Sequence, residues 1–279
     1  MVVGAQKCGT GSLHYYLGLH PEISMSRRKE LNFFTEEGNW HRGIDWYRQW
    51  FDAASAVTGE SSPNYSAFPR YSCVPERMAS VIPETRLIYL VRDPIERIAS
   101  HWVHNYAQRR ELQDLRTTLL DPESSYVARS CYHVQFRRYL EYFDKSRILV
   151  VDSLDLRHKR LHTLRRIFEF LGVNADLYHP GFERLHHSSE LKRRATPLGL
   201  RLRRMSRPWV RRGPAVTLWR AFEATLRLSH PIETHPNVAD ALGASVLARL
   251  REDAEEFRAL TQLSLDHWSI FNLDPTTEG

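Results

Sequence analysis

The sequence predicts an α/β fold in which a parallel sheet is covered by helices on both faces. Three observations predict it. Short apolar runs rich in β-branched and aromatic residues alternate with stretches whose apolar residues recur at helical spacing. Two of the strand-to-helix junctions carry the residues such junctions need, glycines in one and Asp-Pro in the other. The 279 residues suffice for one large domain with a buried core.

Taken in order, Met1 to Ala5 is short and apolar and reads as the first strand. From Thr10 the face Leu13, Tyr16, Leu17 and His20 predicts a helix that Pro21 stops. A second short strand is expected over 55–59, ending at Gly59-Glu60. Residues 85–91 (TRLIYLV) form the strongest strand candidate. Asp93-Pro94-Ile95-Glu96 then starts a helix: Asp93 caps free amides, Pro94 suits the first helical position, and Glu96 stands where a capping box places it. Tyr132, Phe136, Tyr139, Leu140 and Phe143 form a helical stripe, and 147–151 is a strand. Leu161, Leu164, Phe168 and Leu171 predict a helix ending at Gly172. A last helix over about 245–262 pairs Leu247, Leu250, Phe257 and Leu260 with an acidic face. The one compositional shift is 192–212, which holds nine Lys or Arg and no acid. Residues 192–230 are therefore read as a basic insertion or mobile segment within a single domain spanning 1–279.

Hydrophobic residues make up 42% and charged residues 26%, the balance of a soluble globular protein. The net charge of +6 suits an anionic ligand without choosing among nucleotide, glycan, nucleic acid and membrane surface. Cys8, Cys73 and Cys131 lie far apart without a CxxC, against a disulfide scaffold and against a structural zinc site, so no metal is expected. There is no run of 18 apolar residues and no signal-peptide pattern. The expectation is a cytoplasmic protein, or one peripheral to a membrane.

The most informative stretch is Gly4 to Leu13 (GAQKCGTGSL). A loop between a strand's carboxyl end and a helix's amino end offers free N–H groups and the positive end of the helix dipole to an anion. Gln6, Lys7, Cys8, Gly9, Thr10, Gly11 and Ser12 make up that loop: the glycines let the backbone approach, Lys7 adds a full charge, and Thr10 and Ser12 add hydroxyls. A Walker A loop would place Lys directly after the second Gly, and here Lys7 precedes Gly9. The segment instead resembles the 5′-phosphosulfate loop of sulfotransferases that use 3′-phosphoadenosine 5′-phosphosulfate (PAPS). A second motif, Val91 to Trp102 (VRDPIERIASHW), is similar to that family's 3′-phosphate site. Asp93 and Ser100 are seven apart, two helical turns, which puts Ser100 on the face toward the strand end. Arg92 can then fork onto a phosphate while Ser100 donates a hydroxyl bond. Residues 29–34 (KELNFF), 59–65 (GESSPNY), 132–151 and 265–268 (LDHW) extend the resemblance, toward the heparan-sulfate, glycan-directed branch and bacterial members.

The resemblance implies a P-loop-like domain around a parallel sheet of about five strands. It implies transfer of a sulfonate from PAPS, as co-substrate, to a hydroxyl or amine of a carbohydrate, glycolipid or small natural product, without a metal. Lys7 would stabilise charge on the departing phosphate oxygen. For the general base Glu30 is implied by the glycan branch, tuned by partial burial, with an ion pair to Lys29, Arg27 or Arg28 as the alternative. His101 and His104 are rivals, and Glu60 is a third option that would orient Lys7 or the substrate. Lys192 and Arg193 are placed over the 3′-phosphate by likeness. Tyr132 packs near adenine, lines the acceptor cleft or belongs to the core. The basic stretch would recognise an anionic glycan, lie on an anionic membrane, or be a solvated arm. Two other functions stay open: a P-loop small-molecule kinase, and a basic nucleic-acid-binding protein, although no nucleic-acid partner is expected.

Overall fold

The structure is a computed structural model and describes residues 1–52, 54–121, 124–184, 193–196, 201, 229–231 and 237–273. Its strands are β1 (Val2–Gly4), β2 (Ile23–Met25), β3 (Val57–Gly59), β4 (Leu87–Val91), β5 (Ile148–Asp152), β6 (Arg193–Ala195) and β7 (Ser229–Pro231). Its α-helices are α1 (Thr10–Leu17), α2 (Gly43–Arg48), α3 (Val74–Val81), α4 (Pro94–Ala107), α5 (Leu115–Leu119), α6 (Ser125–Ala128), α7 (Tyr132–Leu140), α8 (Ser153–His158), α9 (Arg160–Leu171), α10 (Val238–Ala241) and α11 (Ala244–Thr261).

All five residues of β4 are buried, as a strand covered on both faces requires. It pairs in parallel with β5, from Leu87↔Ile148 to Val91↔Asp152, and with β1 on its other side. The pair β2–β3 is also parallel. It joins the larger ladder just beyond β3, where Val2 bridges Ser61: Val2 N donates to Glu60 O (2.8 Å) and Ser62 N to Val2 O (3.1 Å). The parallel layer thus runs β2-β3-β1-β4-β5, with a break in regular pairing between β3 and β1. β6 and β7 form a separate antiparallel pair, and the backbone of β6 lies against α4.

The core on one side of β4 is aromatic. Tyr89, Tyr132, Phe136, Phe257 and Trp268 are all buried and meet ring to ring, as in Tyr132–Trp268 at 5.6 Å. The acidic face expected on the last helix contributes one residue inward. Asp253, on α11, is buried and accepts from His133 N and Val134 N (3.0 Å each), capping the start of α7. The 267–269 segment fastens two strand ends. Asp152 Oδ2 accepts from Trp268 Nε1 (2.9 Å) and contacts His267 Nε2 (3.1 Å), while Ser269 N donates to Asp93 Oδ2. No helix among the described residues is long and apolar enough to cross a membrane.

Candidate functional site

β1 lies between β3 and β4, so the chain leaves it toward both sides of the layer. That is where α/β sheets open a crevice at the carboxyl ends of their strands. The loop from Ala5 to Gly9 sits at this point. Ala5 N donates to Leu90 O (2.6 Å), which ties the loop to β4, and Cys8 N to Ala5 O (3.2 Å) closes its turn. The backbone enters the left-handed region at Lys7 (φ 74°) and Gly9 (φ 93°), a conformation that builds concave anion nests. The N-cap of α1 is Gly9, which has no side chain to cap the helix, so the positive end of α1 faces the loop. Lys7 and Gly9 are half-buried, Cys8 and Thr10 are buried, and Gln6, Gly11 and Ser12 are half-buried. Burial pushes the Cys8 thiol up to about 11, so it stands as an uncharged packing group in the loop floor.

The second junction follows β4. Asp93 caps α4 as expected, with Oδ1 accepting from Ile95 N (2.8 Å) and Glu96 N (3.4 Å). The capping-box role expected of Glu96 is corrected. Its carboxylate turns to Arg92, just before the N-cap, whose Nε and Nη2 reach it at 2.8 and 2.7 Å, since a charge-assisted pair outcompetes a bond to the capping backbone. This pair is partly exposed and so readily exchanged for a phosphate. Ser100 is buried on α4, two turns from Asp93. Tyr132 joins the two junctions. Its hydroxyl donates to Arg92 O (2.8 Å), accepts from Arg92 N (3.3 Å) and meets Cys8 Sγ (3.6 Å). It is fully buried, so core packing, not adenine contact, is its place.

The Glu30 turn lies beside α1, the helix that follows the Ala5–Gly9 loop. Glu30 N donates to Ser61 O (3.1 Å), and Ser61 Oγ meets His14 Nδ1 on α1 (3.1 Å). The expected burial of Glu30 is corrected. Its side chain is 52% exposed and paired with Lys29 at 2.6 Å, since a positive φ of 63° turns it outward. Glu60 is corrected in the opposite sense. It is fully buried and accepts from Tyr65 (2.5 Å), Ser62 (3.0 Å) and Tyr47 (3.2 Å), so its oxygens are taken up by the core. Burial raises its carboxyl above the ordinary range.

His101 is buried on α4, with its ring 4.4 Å from that of Tyr126 and its Nδ1 3.3 Å from Arg97 Nη1. Burial first, then Arg97, Arg129 and Lys7, holds it well below the usual imidazole range, so it stays neutral. His104, half-buried, meets Gln108. Arg97 is fully buried and donates to Ser130 Oγ and Tyr126 O. Arg129, 7% exposed, donates from Nη1 to Gln6 Oε1 and to Asn64 Oδ1, both at 3.1 Å. Neither arginine was singled out from the sequence. Arg97 sits inside the recognised second motif, but Arg129 is 123 residues from Gln6 and its neighbours give no spacing signal. Lys192 lies outside the described residues, as does most of 192–230. Arg193 opens β6, and only its backbone is described, alongside α4. No group of three or more His, Cys, Asp or Glu among the described residues is arranged to hold a metal ion.

Fold and site together define an α/β protein with two anion-ready turns on adjacent strands of one sheet rim. The chain belongs to the sulfotransferase domain family, an enzyme family, which matches residues 1–196. It is 31% identical over 195 residues to the mouse bifunctional heparan sulfate N-deacetylase/N-sulfotransferase 4, covering 62% of this chain and 22% of that protein. It is 28% identical over 192 residues to the human bifunctional heparan sulfate N-deacetylase/N-sulfotransferase 2, again covering 62% and 22%. The chain therefore corresponds to 22% of the length of these relatives. A sulfotransferase from Alicyclobacillus acidocaldarius has the same fold, with a TM-score of 0.67, 22% identity and 96% of each chain covered.

Proposed function

We propose that this enzyme transfers a sulfonate from PAPS to a hydroxyl or amine of a carbohydrate, glycolipid or small natural product. The observation that carries the reading is the pair of turns after β1 and β4, fastened to each other through Tyr132. One ligand with phosphates at both ends of an adenosine suits two anion sites held at fixed separation better than a triphosphate chain does. The names of the curated relatives favour a glycan among acceptors.

In the reaction the bond between sulfur and the bridging oxygen of the 5′-phosphosulfate breaks and a bond from sulfur to the acceptor oxygen or nitrogen forms. The electron pair of the broken bond stays on the phosphate, and the acceptor's proton goes to a base. Lys7 and the amino end of α1 meet the charge that grows on the phosphate. Arg92 and Ser100 hold the 3′-phosphate, with Arg92 leaving Glu96 to do so. Glu30 is the base this geometry favours. It is exposed and held next to the loop's helix through Ser61, whereas Glu60 is enclosed and His101 is buried among cations.

The direct test is transfer of labelled sulfonate from PAPS over a set of glycan, lipid and phenolic acceptors. Lys7→Ala should keep its fold and lose transfer by about 10²–10³-fold. A Lys7→Ala variant that turns over at the unaltered rate removes Lys7 from the chemistry.

A further inference from the structure

Arg129 is the least explained charge in the molecule. It follows α6 in the turn before α7, is 7% exposed, and among the described residues uses a single nitrogen, Nη1, for two hydrogen bonds. Both acceptors are neutral amide oxygens, one from Gln6 next to Lys7 and one from Asn64 beyond β3. Its charged neighbours are cations. Burial first, then Arg97, brings the Arg129 guanidinium down to about 10, and no carboxylate pairs with either arginine among the described residues. A buried charge without an opposite partner costs several kcal/mol in proteins, so such a group persists where an anion completes it.

The hydrogen bonds say where that anion sits. Through Gln6, Arg129 is fixed to the residue before Lys7. Through Asn64, whose Nδ2 donates to Asn32 Oδ1 (3.2 Å), it is fixed to the Glu30 turn, since Asn32 Nδ2 donates to Glu30 O (3.2 Å). Arg129 therefore stands between the loop that would hold the donor's phosphosulfate and the turn that carries the base. The group that crosses this gap in the reaction is the sulfonate.

We propose that Arg129, aimed by Gln6 and Asn64, binds an oxygen of the sulfonate as it passes from donor to acceptor. This rests on the PAPS reading above. Among the described residues the planar guanidinium engages only Nη1, which leaves Nε and Nη2 to reach a ligand. His101, neutral beside it, adds no competing charge.

The experiment compares PAPS with 3′,5′-bisphosphoadenosine (PAP), which lacks the sulfonate, by calorimetry, together with steady-state transfer. Arg129→Met should weaken PAPS by about tenfold while leaving PAP within about threefold. It should lower kcat by about 10²-fold. Arg129→Lys keeps the charge without the fork and should recover part of the preference for PAPS. It also serves if the Met variant does not fold. Parallel weakening of PAPS and PAP by the folded variants would make Arg129 a structural residue and overturn the assignment. So would a rise in acceptor KM alone with the PAPS preference intact, which would place an acceptor anion there. If neither nucleotide binds the unaltered chain, the PAPS reading itself fails, a result distinct from either of these.

Discussion

Gly4 ends β1 in a space no side chain fits. A Cβ there would lie 1.8 Å from Ser66 Oγ, 2.9 Å from Ser66 Cβ and 3.1 Å from Tyr89 Cε2, all in the packed interior. Rotating the serine hydroxyl relieves only the first clash. Gly4→Ala should therefore destabilise the fold by about 1–3 kcal/mol, read as a lower urea midpoint with an unchanged slope. At this scale the strand, loop and helix over 2–17 were legible, because an apolar run, glycines and a helix start each leave a mark in sequence. Glu30 and Glu60 were not, because sequence does not say which way a carboxylate turns. A positive φ sends the first outward to Lys29, while Tyr47, Ser62 and Tyr65 enclose the second.

Among elements, α11 does more than cover the sheet. Asp253 sits in its buried stripe and caps α7 from outside that helix, and burial lifts its carboxyl from 3.8 to about 7. The unfolded chain releases this proton near the ordinary carboxylate value, whereas the folded chain holds it until about pH 7. Between those values the folded state binds more protons, so stability falls as pH rises from about 4 to about 7. Melting temperatures from pH 5 to pH 7.5 should carry that decline, and Asp253→Asn should flatten it. An unchanged slope in the variant would mean Asp253 is ionised throughout. The long helices and the buried strands β4 and β5 could be read from period and residue type, to within a few residues at their ends. β2 went unread, since three residues are too few for an alternation to declare itself. The aromatic stripe of α7 signalled a core helix, but not that the Tyr132 hydroxyl would fasten two loops.

For the molecule as a whole, the account reduces to geometry at one rim. Adjacent strands β1 and β4 each end in a turn suited to an anion, and Tyr132, Cys8 and the 267–269 segment hold those turns in fixed relation. The parallel pairing of the strands could be expected from the alternation of strands with helices. The approach of Arg129 to Gln6 could not, because it depends on how α6 and α7 fold back over the sheet. The same limit applies to the acceptor, whose recognition sequence alone did not reveal.

The most direct measurement is calorimetric titration with 3′,5′-bisphosphoadenosine and with each of the two monophosphates, on the unaltered chain, Lys7→Ala and Ser100→Ala. Two separate phosphate sites predict that the bisphosphate binds more tightly than either monophosphate. They also predict that Ser100→Ala removes only the advantage of the 3′-phosphate and Lys7→Ala only that of the 5′-phosphate. Equal binding of all three nucleotides, or tighter binding of ATP with magnesium than of the bisphosphate, would contradict the account.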